Sequence, residues 1–230
     1  MNELKTINLY NLNESIARSF LETAEYPWQL LGGIGDYIQE LGATLSLEHF
    51  DQVGQHVWIA KSASVANSAA ITGPCIIDEG AELRHGAFIR GNVLIGKKCV
   101  VGNSTELKNV ILFNGVQVPH YNYVGDSILG HKAHMGAGSI TSNVKGDGSL
   151  VTIRAGDKRI ETERKKVGAM LGDFAEIGCN AVLNPGTIIG RGTTVYPLSM
   201  VRGYVPGNCI YKGEGVVVEK KIHIAPDKHL

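Results

Sequence analysis

An aliphatic residue recurs at every sixth position along two long stretches of this chain. A period of six matches neither the 3.6-residue period of an α-helix nor the two-residue alternation of an isolated strand. It is typical of a parallel β-helix built from hexapeptide repeats, with three repeats in a coil of about 18 residues. We expect these side chains to point inward and stack coil upon coil, in the series Ile59, Val65, Ile71, Ile77, Leu83, Ile89, Ile95, Val101, Leu107 and Leu171, Ile177, Leu183, Ile189, Val195, Val201.

The repeat is interrupted at three places. It slips by one residue between Leu107 and Leu112, and again between Val124 and Leu129. It then stops in a polar, charged segment at about 143–166, which predicts an excursion loop. Slips of this kind re-aim side chains locally, as bulges do near functional sites. The interruptions are therefore where we look for a site.

The two ends of the chain lack the six-residue period. Within residues 1–48, apolar residues spaced by three and four follow Pro27, and Gly42 ends that pattern. This predicts a short N-terminal helical cap over the open edge of the first coil. The expected organisation is the cap at 1–48, an all-β, single-stranded parallel β-helix at 49–208, and a C-terminal extension at 209–230.

Composition excludes several classes of function. The 22 basic and 22 acidic residues balance, so nothing indicates bulk attraction to nucleic acid or to a membrane. The four cysteines are far apart in sequence and form no CxxC pair, which favours reduced thiols in the cytoplasm. No apolar run approaches the roughly 18 residues of a membrane-spanning helix, and the N-terminus has no secretory signal pattern. We expect a cytoplasmic protein.

Two basic residues are predicted to lie above one another. Arg90 and Lys108 each follow an inward aliphatic residue and are separated by one uninterrupted coil. Two stacked cations repel each other, so we expect an anionic ligand between them or an acidic neighbour, for which Glu106 is the candidate. The alternative is a pair of solvated surface charges.

His120 follows inward Val118 by two residues, and Gly136-Ala137-Gly138 comes one coil later. Small residues opposite a histidine leave room for a substrate to approach the backbone. A lone histidine is by default a structural or surface residue. Its position between the two slips favours a catalytic role.

These residues together resemble a known family. Arg90, Glu106, Lys108, the run HYNYVGD from His120 and the run GAGSITSN from Gly136 resemble the acetyltransferase domain of the bifunctional N-acetylglucosamine-1-phosphate uridyltransferases. They are still more similar to the archaeal-type sugar-1-phosphate nucleotidylyltransferase/acetyltransferases. The segment SFLETAEYPWQLL also resembles the helical linker that precedes that domain.

The resemblance implies a left-handed β-helix, a homotrimer, and transfer of acetyl from acetyl-CoA to the amine of a sugar phosphate such as glucosamine 1-phosphate, without a metal. His120 would be the general base, a role that suits imidazole at neutral pH. Asn143 is assigned to catalysis and to sugar binding together. The remaining implied contacts are to the sugar phosphate, from Arg90, Glu106, Lys108 and Tyr123, and to acetyl-CoA, from Ala137, Gly138 and Cys179.

The chain departs from the family pattern at three positions. His134 stands where the bacterial enzymes have asparagine, Cys179 stands where they have serine, and Ser149 occupies the place of a basic residue for which Lys145 is the nearby substitute. The chain also has no glycine-rich LxxGxGT loop, so nucleotidyl transfer is not expected.

Two other functions stay open at this stage. His120, His131 and His134 offer three imidazoles on adjoining coils, as in zinc carbonic anhydrases of the same fold, although their spacing differs from that family. The chain is alternatively a non-catalytic module that binds a sugar nucleotide or assembles an oligomer.

Overall fold

Short parallel strands stack coil upon coil along three faces of the molecule. The structure, a computed structural model, describes residues 1–221. Two of the strands, β10 (Glu106–Leu112) and β12 (Tyr123–Leu129), each cross from one face to the next. The three faces are named A, B and C below. The chain passes through them in the repeating order A, B, C.

The first halves of β10 and β12 belong to face A and their second halves to face B. The other strands of face A are β4 (Ala70–Thr72), β7 (Phe88–Arg90), β14 (Ile140–Thr141), β19 (Val182–Leu183) and β22 (Met200–Val201). Those of face B are β2 (Val57–Ala60), β5 (Cys75–Ile77), β8 (Val93–Ile95), β17 (Ala169–Leu171), β20 (Thr187–Ile189) and β23 (Tyr204–Val205). Face C has β3 (Ser64–Val65), β6 (Glu82–Leu83), β9 (Val100–Asn103), β11 (Gln117–His120), β13 (His134–Met135), β18 (Glu176–Ile177), β21 (Thr194–Val195) and β24 (Cys209–Tyr211).

The strand register confirms the predicted stacking of the aliphatic residues. Ile77 lies beside Ile95 in the next coil, which is 18 residues later. Leu112 lies beside Ile95 and Leu129 lies beside Leu112, so these two coils contain only 17 residues. The slips are thus real changes of coil length. The inward series is buried through the middle coils and forms the core. The handedness implied by the resemblance stays a prediction.

The corners inside β10 and β12 have an unusual backbone conformation. Asn109 and Asp126 have φ angles of 56° and 48°, in the left-handed region that asparagine and aspartate tolerate better than most residues. Because the backbone turns at a single residue, one continuous strand serves two faces. The missing residue of each 17-residue coil is removed at these corners.

The helices pack along face B, and their role as a cap stays a prediction. The residue before each inward aliphatic of face B is also apolar, and strand alternation turns it outward. The long helix α3 (Ile34–Thr44) packs on β5, β8 and β10 over this column. The chain before it contacts later coils, and Tyr10 stacks on Phe113 with ring centroids 5.0 Å apart. The remaining helical segments are α1 (Thr6–Leu9), α2 (Arg18–Leu21) and 3₁₀ turns at Asn2–Leu4, Leu12–Glu14 and Pro27–Gly32.

The first coil is covered by strand β1 (Phe50–Gly54), which pairs with β2 in antiparallel fashion. At the other end, β24 still stacks in parallel on β21, and β25 (Val217–Glu219) closes the edge in antiparallel fashion. Parallel stacking therefore continues to Tyr211, past the expected boundary at 208. The last part of the predicted extension, residues 222–230, lies outside the described residues.

The excursion at 143–166 contains a β-hairpin, here called the arm, formed by β15 (Thr152–Ala155) and β16 (Lys158–Glu161). Val151 and Ile153 at its inner side are fully buried. The arm therefore packs on the coils and is not a solvated loop. All four cysteines are free thiols, as predicted. No helix within residues 1–221 has the length and apolar character required to cross a membrane.

Replacing Gly42 by alanine is expected to destabilise the contact between α3 and face B. Gly42 is buried inside α3, and a Cβ atom there would overlap the ring of Trp58. Overpacking of this kind lowers the free energy of unfolding by about 1–3 kcal/mol. Urea denaturation measures it, with Gly146→Ala as the control because no atom lies within 4 Å of that added Cβ. An unchanged stability of Gly42→Ala would contradict the packing described.

Candidate active site

The predicted anion-binding residues lie in two neighbouring columns on face A. The first column contains Phe88, Glu106 and Tyr123, which are partners in the strand register. The same register sets Lys108 beside Arg90 on one side and beside Gly125 on the other. The expected stacking of Arg90 on Lys108 is therefore present in the structure.

Glu106 is the acidic neighbour that the stacked cations require. Its Oε1 atom lies 2.6 Å from the Nη1 atom of Arg90. Lys108 is half-buried and makes no hydrogen bond or ion pair with residues 1–221. The pKa of Arg90 is raised above its ordinary value, first by the hydrogen bond that it donates to Glu106. Glu106 therefore neutralises Arg90 directly, and within residues 1–221 the donors of the Lys108 ammonium are not used.

Tyr123 and Asn143 are joined by a hydrogen bond and supported by a buried polar network. The Nδ2 atom of Asn143 donates to the Tyr123 hydroxyl at 3.3 Å and also to Asp126. Asp126 accepts a second hydrogen bond, from Asn109 Nδ2 at 2.9 Å, and Asn109 also donates to the Leu31 carbonyl. Both donors of the Asn143 amide are therefore used, which leaves its carbonyl oxygen to accept from a substrate.

Burial raises the pKa of Tyr123 above its ordinary value, while the hydrogen bond from Asn143 opposes that shift. The phenol consequently keeps its proton at neutral pH. Because its oxygen already accepts from Asn143, the hydroxyl can donate to a ligand on face A.

His120 ends strand β11 at the corner between faces C and A, and its side chain is exposed. Its carbonyl accepts a hydrogen bond from the Gly138 N–H at 3.0 Å, so the glycine-rich coil lies directly beside it. Tyr123 begins the next strand of the same coil. The histidine and the face A residues are therefore on adjoining sides of one corner.

The residues predicted to contact acetyl-CoA form a column that continues from His120 along this corner. Asn180 donates to the Ala137 carbonyl, and Leu198 donates to the Cys179 carbonyl, each at 2.9 Å. The N–H groups of Ala137 and Cys179 have no hydrogen-bond partner within the described chain. A Cβ atom on Gly136 would lie only 2.8 Å from the Cys179 backbone nitrogen, so the backbones approach closely here.

Two of the three candidate zinc-binding histidines point to other partners. His131 Nδ1 lies 2.8 Å from the Asn114 carbonyl, and His134 Nδ1 lies 2.8 Å from Glu176 Oε2. No cluster of three or more His, Cys, Asp or Glu side chains suited to a metal ion occurs in residues 1–221. The structure therefore does not bring the three imidazoles together within one chain.

Lys145 lies close to Ser149, in the segment that leads into β15. The Lys145 ammonium donates a hydrogen bond to the Ser149 hydroxyl at 3.0 Å. That Lys145 takes over the role of the family's basic residue stays a prediction.

The sequence interpretation missed Asn122, which organises the corner. Asn122 is buried, its Oδ1 accepts the His120 N–H at 3.1 Å, and its Nδ2 donates to the carbonyls of Gly136 and Ser139. The one available signal was an asparagine two residues after the histidine, a spacing that favours side-chain hydrogen bonds to the local backbone.

Asn122→Ala is expected to lower the free energy of unfolding by about 2–4 kcal/mol, because it leaves several buried backbone groups without partners at about 1–3 kcal/mol each. The matched control is Gln117→Ala, which removes an exposed amide from strand β11, just before the corner. Chemical denaturation compares the two. Equal stability of the two variants would contradict the structural role given to Asn122.

Comparison with known proteins supports the resemblance seen in the sequence. The family model for the GMPPB C-terminal domain matches residues 71–164. A bifunctional GlmU protein of Methanococcus maripaludis strain C5 is 28% identical, over 94% of this chain and 53% of that protein. A bifunctional sugar-1-phosphate nucleotidylyltransferase/acetyltransferase of Sulfurisphaera tokodaii is 30% identical, over 60% of this chain and 39% of that protein.

Among solved structures, a hexapeptide transferase family protein from Anaplasma phagocytophilum aligns with a TM-score of 0.41 and 16% identity, over 73% of this chain and 81% of that one. The chain spans about half the length of the curated relatives it matches. The resemblance predicted from the motifs around His120 is confirmed: the chain is similar to a bifunctional GlmU protein over 94% of its length.

Proposed function

We propose that this protein is an acetyl-CoA-dependent N-acetyltransferase that acts on an amino sugar 1-phosphate such as glucosamine 1-phosphate. The observation that carries the proposal is the corner at His120, where an exposed imidazole, the stacked Arg90 and Lys108, and the bonded pair of Tyr123 and Asn143 lie on adjoining coils. The name of the Sulfurisphaera tokodaii relative, which includes acetyltransferase, supports it.

The acceptor is bound through its phosphate. A sugar phosphate dianion lies between the Arg90 guanidinium and the Lys108 ammonium, which donate charge-assisted hydrogen bonds to it. The Arg90–Glu106 pair is exposed to solvent, and a guanidinium has five N–H donors, so Arg90 can bind phosphate while it keeps Glu106. The Tyr123 hydroxyl and the Asn143 carbonyl oxygen hydrogen-bond the sugar hydroxyls and orient the ring.

The reaction is nucleophilic attack by the sugar amine on the acetyl thioester. His120 takes a proton from the amine as nitrogen forms a bond to the carbonyl carbon. The carbonyl oxygen becomes an oxyanion, which the unpaired Ala137 N–H stabilises. The intermediate collapses as the carbon–sulfur bond breaks, and the imidazolium returns the proton to the leaving thiolate of CoA.

Every proton and charge in this scheme is handled by side chains, backbone or substrates, so we expect a chelator to leave turnover unchanged. The resemblance also implies a homotrimer, and this belongs to the same proposal. Sedimentation that gave a monomer would contradict it.

His120→Ala is expected to lower kcat for acetyl transfer by about 10²–10⁴-fold, the usual contribution of a general base. CoA release from acetyl-CoA is followed with glucosamine 1-phosphate and, separately, galactosamine 1-phosphate. His49→Ala is the matched control, because His49 is exposed and lies before strand β1.

Full turnover by His120→Ala would refute the assignment of the base. Absence of CoA release by the wild-type protein with any amino sugar phosphate would overturn the enzyme proposal, and a non-catalytic binding module would then take its place.

A further inference from the structure

A cationic cavity of ≈ 530 Å³ lies between the arm and the coils. Its basic lining residues are Lys145, Arg154, Arg159 and Arg202, and Asp147 is its only acidic one. Within residues 1–221, none of these four basic residues has an ion pair within 4.0 Å. The lining therefore carries an excess of three positive charges that the described chain does not neutralise.

Two of these arginines are held directly opposite each other. Arg154 and Arg159 are cross-strand partners in the two-stranded arm. Like charges at directly opposed positions destabilise a strand pair. The nearest acid on that side of the arm, Glu161, is paired with Thr152 and accepts its hydroxyl hydrogen bond at 3.2 Å. An anion bound between the arginines would remove the repulsion.

The third arginine continues the column that contains the acceptor site. The register of face A leads from Lys108 through Gly125, Ser142 and Asn184 to Arg202. Arg202 therefore lies three coils beyond the coil of His120 and Gly125, a distance of about 14 Å at the usual strand spacing of about 4.8 Å. Ser142 and Asn184, which also line the cavity, connect it to the site around Asn143.

We propose that the cavity under the arm is a binding site for an organic diphosphate, with Arg154, Arg159 and Arg202 as its phosphate-binding residues. Arginine forks bind phosphate oxygens in pairs, and a diphosphate carries about as much negative charge as the lining has in excess. The distance between the cavity and His120 suits a ligand whose reactive group and phosphates are separated by a long flexible chain. Two sources share this chemistry: the phosphates of an acyl-CoA and the diphosphate of a sugar nucleotide. The acyl-CoA source rests on the proposed function.

Calorimetric titration of the full chain with CoA, with UDP and with inorganic pyrophosphate tests the site. The variant Arg154→Gln/Arg202→Gln is compared with wild type and with Lys158→Gln, which removes a cation from the same arm outside the cavity. We expect the double variant to raise the Kd of the ligand that binds by at least about tenfold, while Lys158→Gln leaves it unchanged. Pyrophosphate should compete, and added salt should weaken binding.

Arginine-dependent binding of CoA assigns the cavity to the acyl donor, and arginine-dependent binding of UDP assigns it to a sugar nucleotide. No binding of any of the three probes to wild type, or equal Kd values for wild type and double variant, would overturn the proposal. The two proposals fail separately. Arginine-dependent binding without acetyl transfer would leave the site standing and refute the enzyme, whereas acetyl transfer by a protein whose Kd values for all three probes are the same in wild type and double variant would refute the site alone.

Discussion

Parallel backbone hydrogen bonding between successive coils is the interaction on which the rest of this structure depends. The backbone of each coil forms hydrogen bonds with the coils on both sides, and this fixes which residues lie above one another. Inward positions then form aliphatic columns that exclude water. Outward positions form columns as well, and residues 17 or 18 apart in sequence become neighbours. A single rule thus builds the core and assembles the candidate site.

The two 17-residue coils place a buried polar network beside the candidate site. Their corners at Asn109 and Asp126 turn the backbone at one residue each, and both side chains point into the same buried network. That network holds Asn143 against Tyr123. The irregularity in the repeat and the positions of Tyr123 and Asn143 therefore have one physical origin.

The sequence predicted the features that follow from periodicity. The stacking of Arg90 on Lys108 and the neighbourhood of Glu106 needed only a count of residues per coil. Other features depend on contacts that no periodicity encodes. His134 finds its partner Glu176 only 42 residues later, after the arm has returned the chain to the coils. Asn122 is important because three backbone groups converge on it, which is visible only in the folded corner.

The packing surface of the helices shows a different limit. An amphipathic pattern reveals that a helix must bury one side, but not the surface that covers it. The sequence has an apolar residue before each inward aliphatic of face B, and Ile76, Leu94 and Ile111 form a buried outward column there. This column indicated that another element must pack on face B.

A structure of the protein with CoA and glucosamine 1-phosphate tests the central claim most directly. The account predicts the phosphate between Arg90 and Lys108, and the sugar amine within hydrogen-bonding reach, about 3 Å, of the His120 imidazole. A sugar phosphate bound away from that corner, or an amine out of reach of His120, would contradict it.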